Sequence, residues 1–302
     1  MKHVVLVPEE SHPEYDNFLP VLFSAARGLA ARIVTRVDCI AADETPIVSA
    51  ACGEAEQLRI AELPQLQEGR FVLIDNAFFG DRGVRGRYFR IVAGRFQPDT
   101  LIEDEPDWQR YQQLNLPGIS RWQRTPGHVL VMPHTQEFGA VVRVSPSEFL
   151  DWVYRHLPDK VDQSELKIRG RRANGPRIGP EEAIGQSRVV IGFNTELLLR
   201  ALRLGVPAIG HPEGSVVYAF NRLTPRDIDN PCLFEKTVEE REHFCARLAT
   251  FYQASCDELE NPGFIQGLLE RQLDYVRSRL CTSPPLPETP ERKQSVACRQ
   301  SR

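Results

Sequence analysis

The apolar residues recur with two different periods, and the chain is organised by their alternation. "HVVLV", His3 to Val7, is a continuous apolar run that empties into an acidic loop, which predicts a buried strand. "DNFLPVLFSAARGLAARI" then takes helical spacing. Leu19, Leu22, Phe23, Ala26 and Leu29 fall on one face, and Pro20 sits where a first turn tolerates it. "RFVLIDNAFFG", residues 70 to 80, is a second strand ending in the polar pair Asp75-Asn76. "RYFRIVAGRFQP" alternates on either side of Ala93-Gly94, which predicts a hairpin. Residues 98 to 127 lose the period. They are acidic, then aromatic, and Trp108, Tyr111 and Trp122 need surfaces to lie against, so the segment reads as a connector that packs.

From residue 128 the rhythm restarts. "HVLVMPHTQEFG" is a strand and a polar loop. "SPSEFLDWVYRHLP" is a helix with Ser145 or Ser147 as N-cap, Pro146 or Glu148 in the first turn and Pro158 closing it. "SELKIRGRR" is a short strand ending in arginines, and "GPEEAIGQS" a short helix. In "SRVVIGFNTELLLRALRLGVPAIGHPEGS", two apolar runs flank an amphipathic one and each empties into a polar loop. Residues 238 to 280 predict two helices broken at Asn261-Pro262-Gly263, with the 259–280 helix near the junction of the halves. The stretch from Cys281 has no apolar face and reads as a disordered tail. Strand and helix alternating twice predict an α/β fold of two Rossmann-like, mostly parallel sheets. The expected division is 1–105, a connector at 106–127, 128–280, and a tail at 281–302.

Composition changes this picture little. The 302 residues carry a net charge of -4, which gives no global attraction to nucleic acid or an anionic membrane. Nearly all cations are arginine, which suits an anionic ligand and equally a GC-rich coding sequence. The seven cysteines are irregularly spaced and form no zinc pattern. Free thiols in a reducing cytoplasm are the expectation, and no apolar run is long enough to span a bilayer.

In a parallel sheet the loops after the strands open on one edge, where ligands bind. Asn194 or Thr195 is the natural N-cap of the amphipathic helix there, and a helix N-terminus attracts phosphate. An ordinary capped helix satisfies the same residues. Glu196 suits hydroxyl groups better than phosphate. His211 and Glu213 follow the next strand.

The segment 128–215 resembles the donor half of GT-B-type glycosyltransferases. The likeness rests on Thr195-Glu196, Ala201-Leu202 and Gly205-Val206-Pro207, on "LKIRGRR" one strand earlier, and on the opening strand "HVLVMPHTQ". It is also similar to phage proteins placed near that class. The resemblance implies a compact GT-B-like arrangement, with an acceptor-like first domain and a donor-binding second one. It implies a metal-independent glycosyltransferase that uses a nucleotide sugar as substrate and no further cofactor. The donor set would be Arg169, Arg171, Asn194, Thr195, Glu196, His211 and Glu213, and Glu10 or His12 would be the base. The acceptor remains open. Arg85, Arg87 and Arg90, interleaved with aromatics, fit a polyanion such as DNA or a charged polysaccharide, and equally a solvated hairpin. Two other readings stand beside the first. One is a non-catalytic α/β module that binds a nucleotide or sugar phosphate. The other is a phage enzyme that decorates modified DNA bases.

Overall fold

The computed structural model of the protein describes residues 2–7, 18–49, 54–79, 88–98, 100–123, 126–169, 179–193 and 195–282. Among the described residues the strands are β1 (Lys2–Leu6), β2 (Arg32–Val34), β3 (Glu44–Ser49), β4 (Val72–Asn76), β5 (Phe89–Ala93), β6 (His128–Met132), β7 (Leu166–Ile168), β8 (Ser187–Gly192), β9 (Ala208–Gly210) and β10 (Gln253–Ala254). They form two sheets, in the orders β10-β5-β4-β3-β1-β2 and β7-β6-β8-β9. The second sheet is parallel throughout. In the first, β4, β3, β1 and β2 are parallel, and β5 and β10 add antiparallel strands on one side. Two Rossmann-like α/β layers therefore make up the molecule.

Local chemistry sets most of the elements. Pro20 lies in the first turn of helix Leu19–Gly28, which buries Val21, Leu22, Ala25 and Ala26 and leaves Phe23 largely exposed. Ser145 and Glu148 cap helix Pro146–His156 reciprocally, so each supplies an acceptor to an otherwise orphan N–H. Helix Thr195–Leu204 buries Leu198, Leu199, Ala201 and Leu202, then stops at Gly205, whose φ of +77° strains any side chain. A Cβ there would also stand 2.0 Å from the Arg121 carbonyl, because the connector runs against this turn.

The connector is anchored to the second half at several points. Ser120 N–H donates to the Arg203 carbonyl at 2.8 Å, Gln123 N–H to the Gly205 carbonyl at 2.7 Å, and Trp122 Nε1–H to the Lys236 carbonyl at 2.6 Å. Arg241, 1% exposed, lies 3.9 Å over the Trp122 ring and donates to the Leu202, Ser120 and Thr237 carbonyls. Burial lowers its pKa, and those carbonyls replace the water it has lost.

Three expectations need correction. The predicted hairpin about Ala93-Gly94 does not form. β5 pairs instead with β4 on one side and β10 on the other, and the residues after Gly94 are not a strand. The segment expected to end the second domain returns to the first sheet. After helix Val238–Phe251 the chain adds β10 to β5, and helices Cys256–Glu260 and Pro262–Thr282 bury Leu259, Ile265, Leu268 and Leu269 in the core of the first sheet. The terminal helix also runs to Thr282, past the expected start of the tail, and residues 283–302 lie outside the described residues.

Candidate functional site

The second sheet sets its strand ends side by side. Arg169 follows β7, Pro133-His134 follow β6, Phe193 follows β8 and His211 follows β9. The ladder runs on past the strands, with Arg169 N–H donating to the Val131 carbonyl at 2.8 Å and His211 N–H to the Gly192 carbonyl at 3.1 Å. β7 and β9 are the outer strands, so Arg169 and His211 share one edge yet stand three strand spacings apart, roughly 14 Å. Helix Thr195–Leu204 begins between them.

Beneath this edge lies a cluster of rings from four segments. His134 packs on Phe193 with centroids 4.0 Å apart, Phe193 stacks on His211 at 4.8 Å, and His211 meets Trp152 at 4.8 Å. Trp152 in turn touches His156 at 5.5 Å. The turn that holds His211 depends on Gly214, where a Cβ would sit 2.0 Å from the Phe193 ring. The imidazole tautomers follow from their partners. His134 Nε2 lies 2.6 Å from the Val144 carbonyl, which can only accept, so Nε2 carries the proton. His134 Nδ1 is then a bare acceptor, buried and without a donor. His211 Nδ1 accepts from Glu213 N–H at 3.2 Å, and His156 Nδ1–H donates to the Trp152 carbonyl at 2.7 Å. Burial, with repulsion from His134 and His156 added to it, lowers the His211 pKa to about 4. Burial also lowers the pKa of His134, against an opposing pull from the Val144 carbonyl. The His134 and His211 imidazoles are therefore uncharged near neutral pH.

Of the expected donor residues, Arg169 is half-buried beside the edge, with Nη1 donating to the Gly179 carbonyl at 3.4 Å. Thr195 starts the helix. Glu196 is turned along the helix to Arg200 at 2.9 Å, and Arg200 also pairs with Glu181 at 3.4 Å. Glu213 is exposed and contributes its backbone N–H to His211. His211 differs from the expected open loop residue. It is 8% exposed within the ring cluster, because Phe149, Trp152 and Phe193 surround it. Arg90 also departs from its expected place on an acceptor surface. It is 4% exposed and ion-paired with Asp75 directly across the β4–β5 ladder. Glu10, His12, Arg85, Arg87, Arg171 and Asn194 lie outside the described residues.

The sequence reading misses His134, His156 and Trp152. One signal for His134 was available, since it follows its strand within a short loop as His211 does. The contact itself is non-local. Among the described residues no three His, Cys, Asp or Glu side chains are grouped so as to hold a metal. The Asp-x-Asp triplet Asp227-Ile228-Asp229 has both carboxylates engaged within the protein. Asp227 accepts from Thr224 N–H at 2.8 Å, and Asp229 pairs with Arg188 at 3.1 Å and Lys160 at 3.2 Å.

Two cavities open away from this edge. One of about 830 Å³ lies against the first sheet between Arg36, Ile40, Glu56, Arg59, Gln65 and Arg70. Another of about 370 Å³ lies between Leu101, Phe220, Arg222, Lys236, Phe244 and Arg247. Among the described residues no helix is long and apolar enough to cross a membrane. Compared with known proteins, the chain matches no family model and no curated sequence.

Proposed function

We propose that the protein is a metal-independent glycosyltransferase whose nucleotide-sugar donor binds at the carboxyl edge of the second sheet. One observation supports this above the others. A single parallel edge carries an arginine, the start of a ten-residue amphipathic helix and a floor of packed rings. The leaving group of such a reaction is a nucleotide phosphate, and its new negative charge needs donors aimed at it. Helix N–H groups and Arg169 are donors of that kind. The bond from the sugar C1 to the donor phosphate oxygen breaks, and a bond from C1 to an acceptor oxygen forms. The acceptor proton passes to a base. The buried rings matter because they exclude water beside these donors, and in the lower local dielectric a donor's attraction for phosphate is stronger.

Arg169→Ala is expected to weaken nucleotide-sugar binding by about 1.5–3 kcal/mol, the scale of a charge-assisted hydrogen bond. Titration calorimetry against several nucleotide sugars measures this. Unchanged affinity in a folded variant removes the phosphate role of Arg169. Release of free nucleotide from a bound donor separates an enzyme from a binding module, since the module holds the ligand without turnover.

A further inference from the structure

The face of the first sheet on which Val92 packs with residues of the second half also carries a polar row. Asp75 on β4, Arg90 on β5 and Gln253 on β10 are register partners on three neighbouring strands. Cross-strand partners share a face, with Cβ atoms about 5 Å apart. Arg90 and Gln253 are 4% and 0% exposed. Arg90 Nη2 is bonded to Asp75 Oδ2, and the guanidinium stands 5.4 Å from the Phe78 ring centre. The Gln253 amide is fixed in orientation because its Oε1 accepts from Phe79 N–H at 2.7 Å.

Two donors are left over. Arg90 Nε–H and Gln253 Nε2–H are buried and have no acceptor. A buried donor without an acceptor forfeits its hydration with nothing in return, so two on adjacent strands point to something that binds there. Asp75 completes the set. Its side chain is 14% exposed against 5% for Arg90, so the carboxylate is the member nearer to the surface.

We propose that this row is a binding site for a neutral hydroxyl group. The oxygen accepts from Arg90 Nε–H and Gln253 Nε2–H, and its own proton is donated to the Asp75 carboxylate. Other chemistries satisfy the row less well. A phosphate or carboxylate meets the charge of Asp75 and has no proton to give it. An ammonium group cannot accept from the two donors, and an apolar group leaves both of them unpaired. The ligand class is therefore an alcohol, as in a neutral sugar or polyol, and not the polyanion that the arginines of this region suggest in the sequence. The inference concerns the first sheet and does not depend on the nucleotide-sugar reading, although a hydroxyl ligand here would serve that reaction as acceptor.

The test uses the intact chain and no nucleotide sugar. Methyl glucoside, methyl galactoside and myo-inositol are titrated beside glucuronate and glucose 6-phosphate, with binding read by NMR shift perturbation. Saturable binding of at least one neutral probe is expected, with the charged probes at least tenfold weaker. Asp75→Asn and Gln253→Met should each weaken the neutral probe at least tenfold, with circular dichroism confirming that each variant is folded. If Gln253→Met does not fold, Asp75→Asn alone decides the point, because it keeps the shape of the side chain. Tighter binding of the charged probes overturns the hydroxyl assignment. Absence of saturable binding by all three neutral probes also overturns it, and one ordered oxygen bridging Arg90 and Gln253 in a crystal structure would then make the row an internal water site only.

Discussion

His211 shows how much of a residue's chemistry lies outside its own stretch of sequence. "AIGHPEGS" reads as a strand followed by a loop with one imidazole, and that much is correct. The neighbours that make the imidazole unusual come from the end of β8, from the loop after β6 and from helix Pro146–His156, so no local pattern announces them. Their effect on stability has a definite sign. In the unfolded chain His211 binds its proton near pH 6.5, whereas in the folded chain it does so only near pH 4. Above 6.5 both states are neutral and the contribution to stability is fully present. As pH falls from 6.5 toward 4 the unfolded state gains a proton that the folded state does not, and stability drops. The loss is expected to reach the order of 2–3 kcal/mol at pH 4, most of it below pH 6. Urea midpoints of the wild type and of His211→Phe, at intervals from pH 7.5 to 5, measure it. The variant should show a shallower slope, with the remainder shared by His3, His128 and His134, whose pKa values burial also lowers. Equal slopes would show that His211 does not carry the effect.

At the scale of elements, legibility follows the range of the interaction. Capping boxes are local, and Ser145 with Glu148, Thr237 with Glu240 and Ser255 with Glu258 all form at helix starts. Strand pairing is not local. β5 looks like half of a hairpin with its own downstream residues, but its partners are β4 and the two-residue β10, which is too short to show a period. Gln272 is hidden for a related reason. On the terminal helix it reads as one more polar surface residue, yet it is 3% exposed and clamps that helix to β5. Its Oε1 accepts from Ala93 N–H at 2.8 Å, and its Nε2 donates to the carbonyls of Ile91 at 3.0 Å and Phe251 at 2.7 Å. Gln272→Leu keeps the bulk and strands three backbone groups. It is expected to destabilise by about 2–4 kcal/mol, lowering the melting temperature by several degrees. Gln266→Leu, on the exposed side of the same helix, should change stability by no more than about 0.5 kcal/mol. Comparable losses in the two variants would mean that the clamp contributes nothing of its own.

Across the whole molecule, alternating strands and helices make two α/β layers readable from the sequence, but the same alternation assigns the C-terminal region to the wrong one. Residues 253–282 cross back, and they do so with substantial bonds. β10 covers the outer side of β5, Leu259, Ile265, Leu268 and Leu269 join the first core, and Ser24 Oγ–H donates to Glu260 at 3.0 Å. Arg110 of the connector pairs with Glu258 and donates to the Gln253 carbonyl at 2.7 Å, so the connector too is tied to the returning segment. The four apolar side chains alone stabilise by about 1.5–3 kcal/mol each, which together is comparable to the ~5–15 kcal/mol that holds a typical domain folded. A chain ending at Tyr252 loses all of this and leaves β5 with unpaired backbone groups on a buried edge. It is expected to lose cooperative unfolding of its first half, while the parallel second sheet, whose strands all lie before residue 211, keeps its own core around Val129, Val131, Val189 and Ile191. A chain ending at Thr282 retains every one of these contacts and should melt with the full-length protein. Hydrogen exchange resolved by segment distinguishes the outcomes. Protection lost selectively in β1, β3 and β4 of the shorter chain supports a first layer completed by the C-terminus, and uniform protection in both chains would show that the returning segment only decorates a layer that is stable without it.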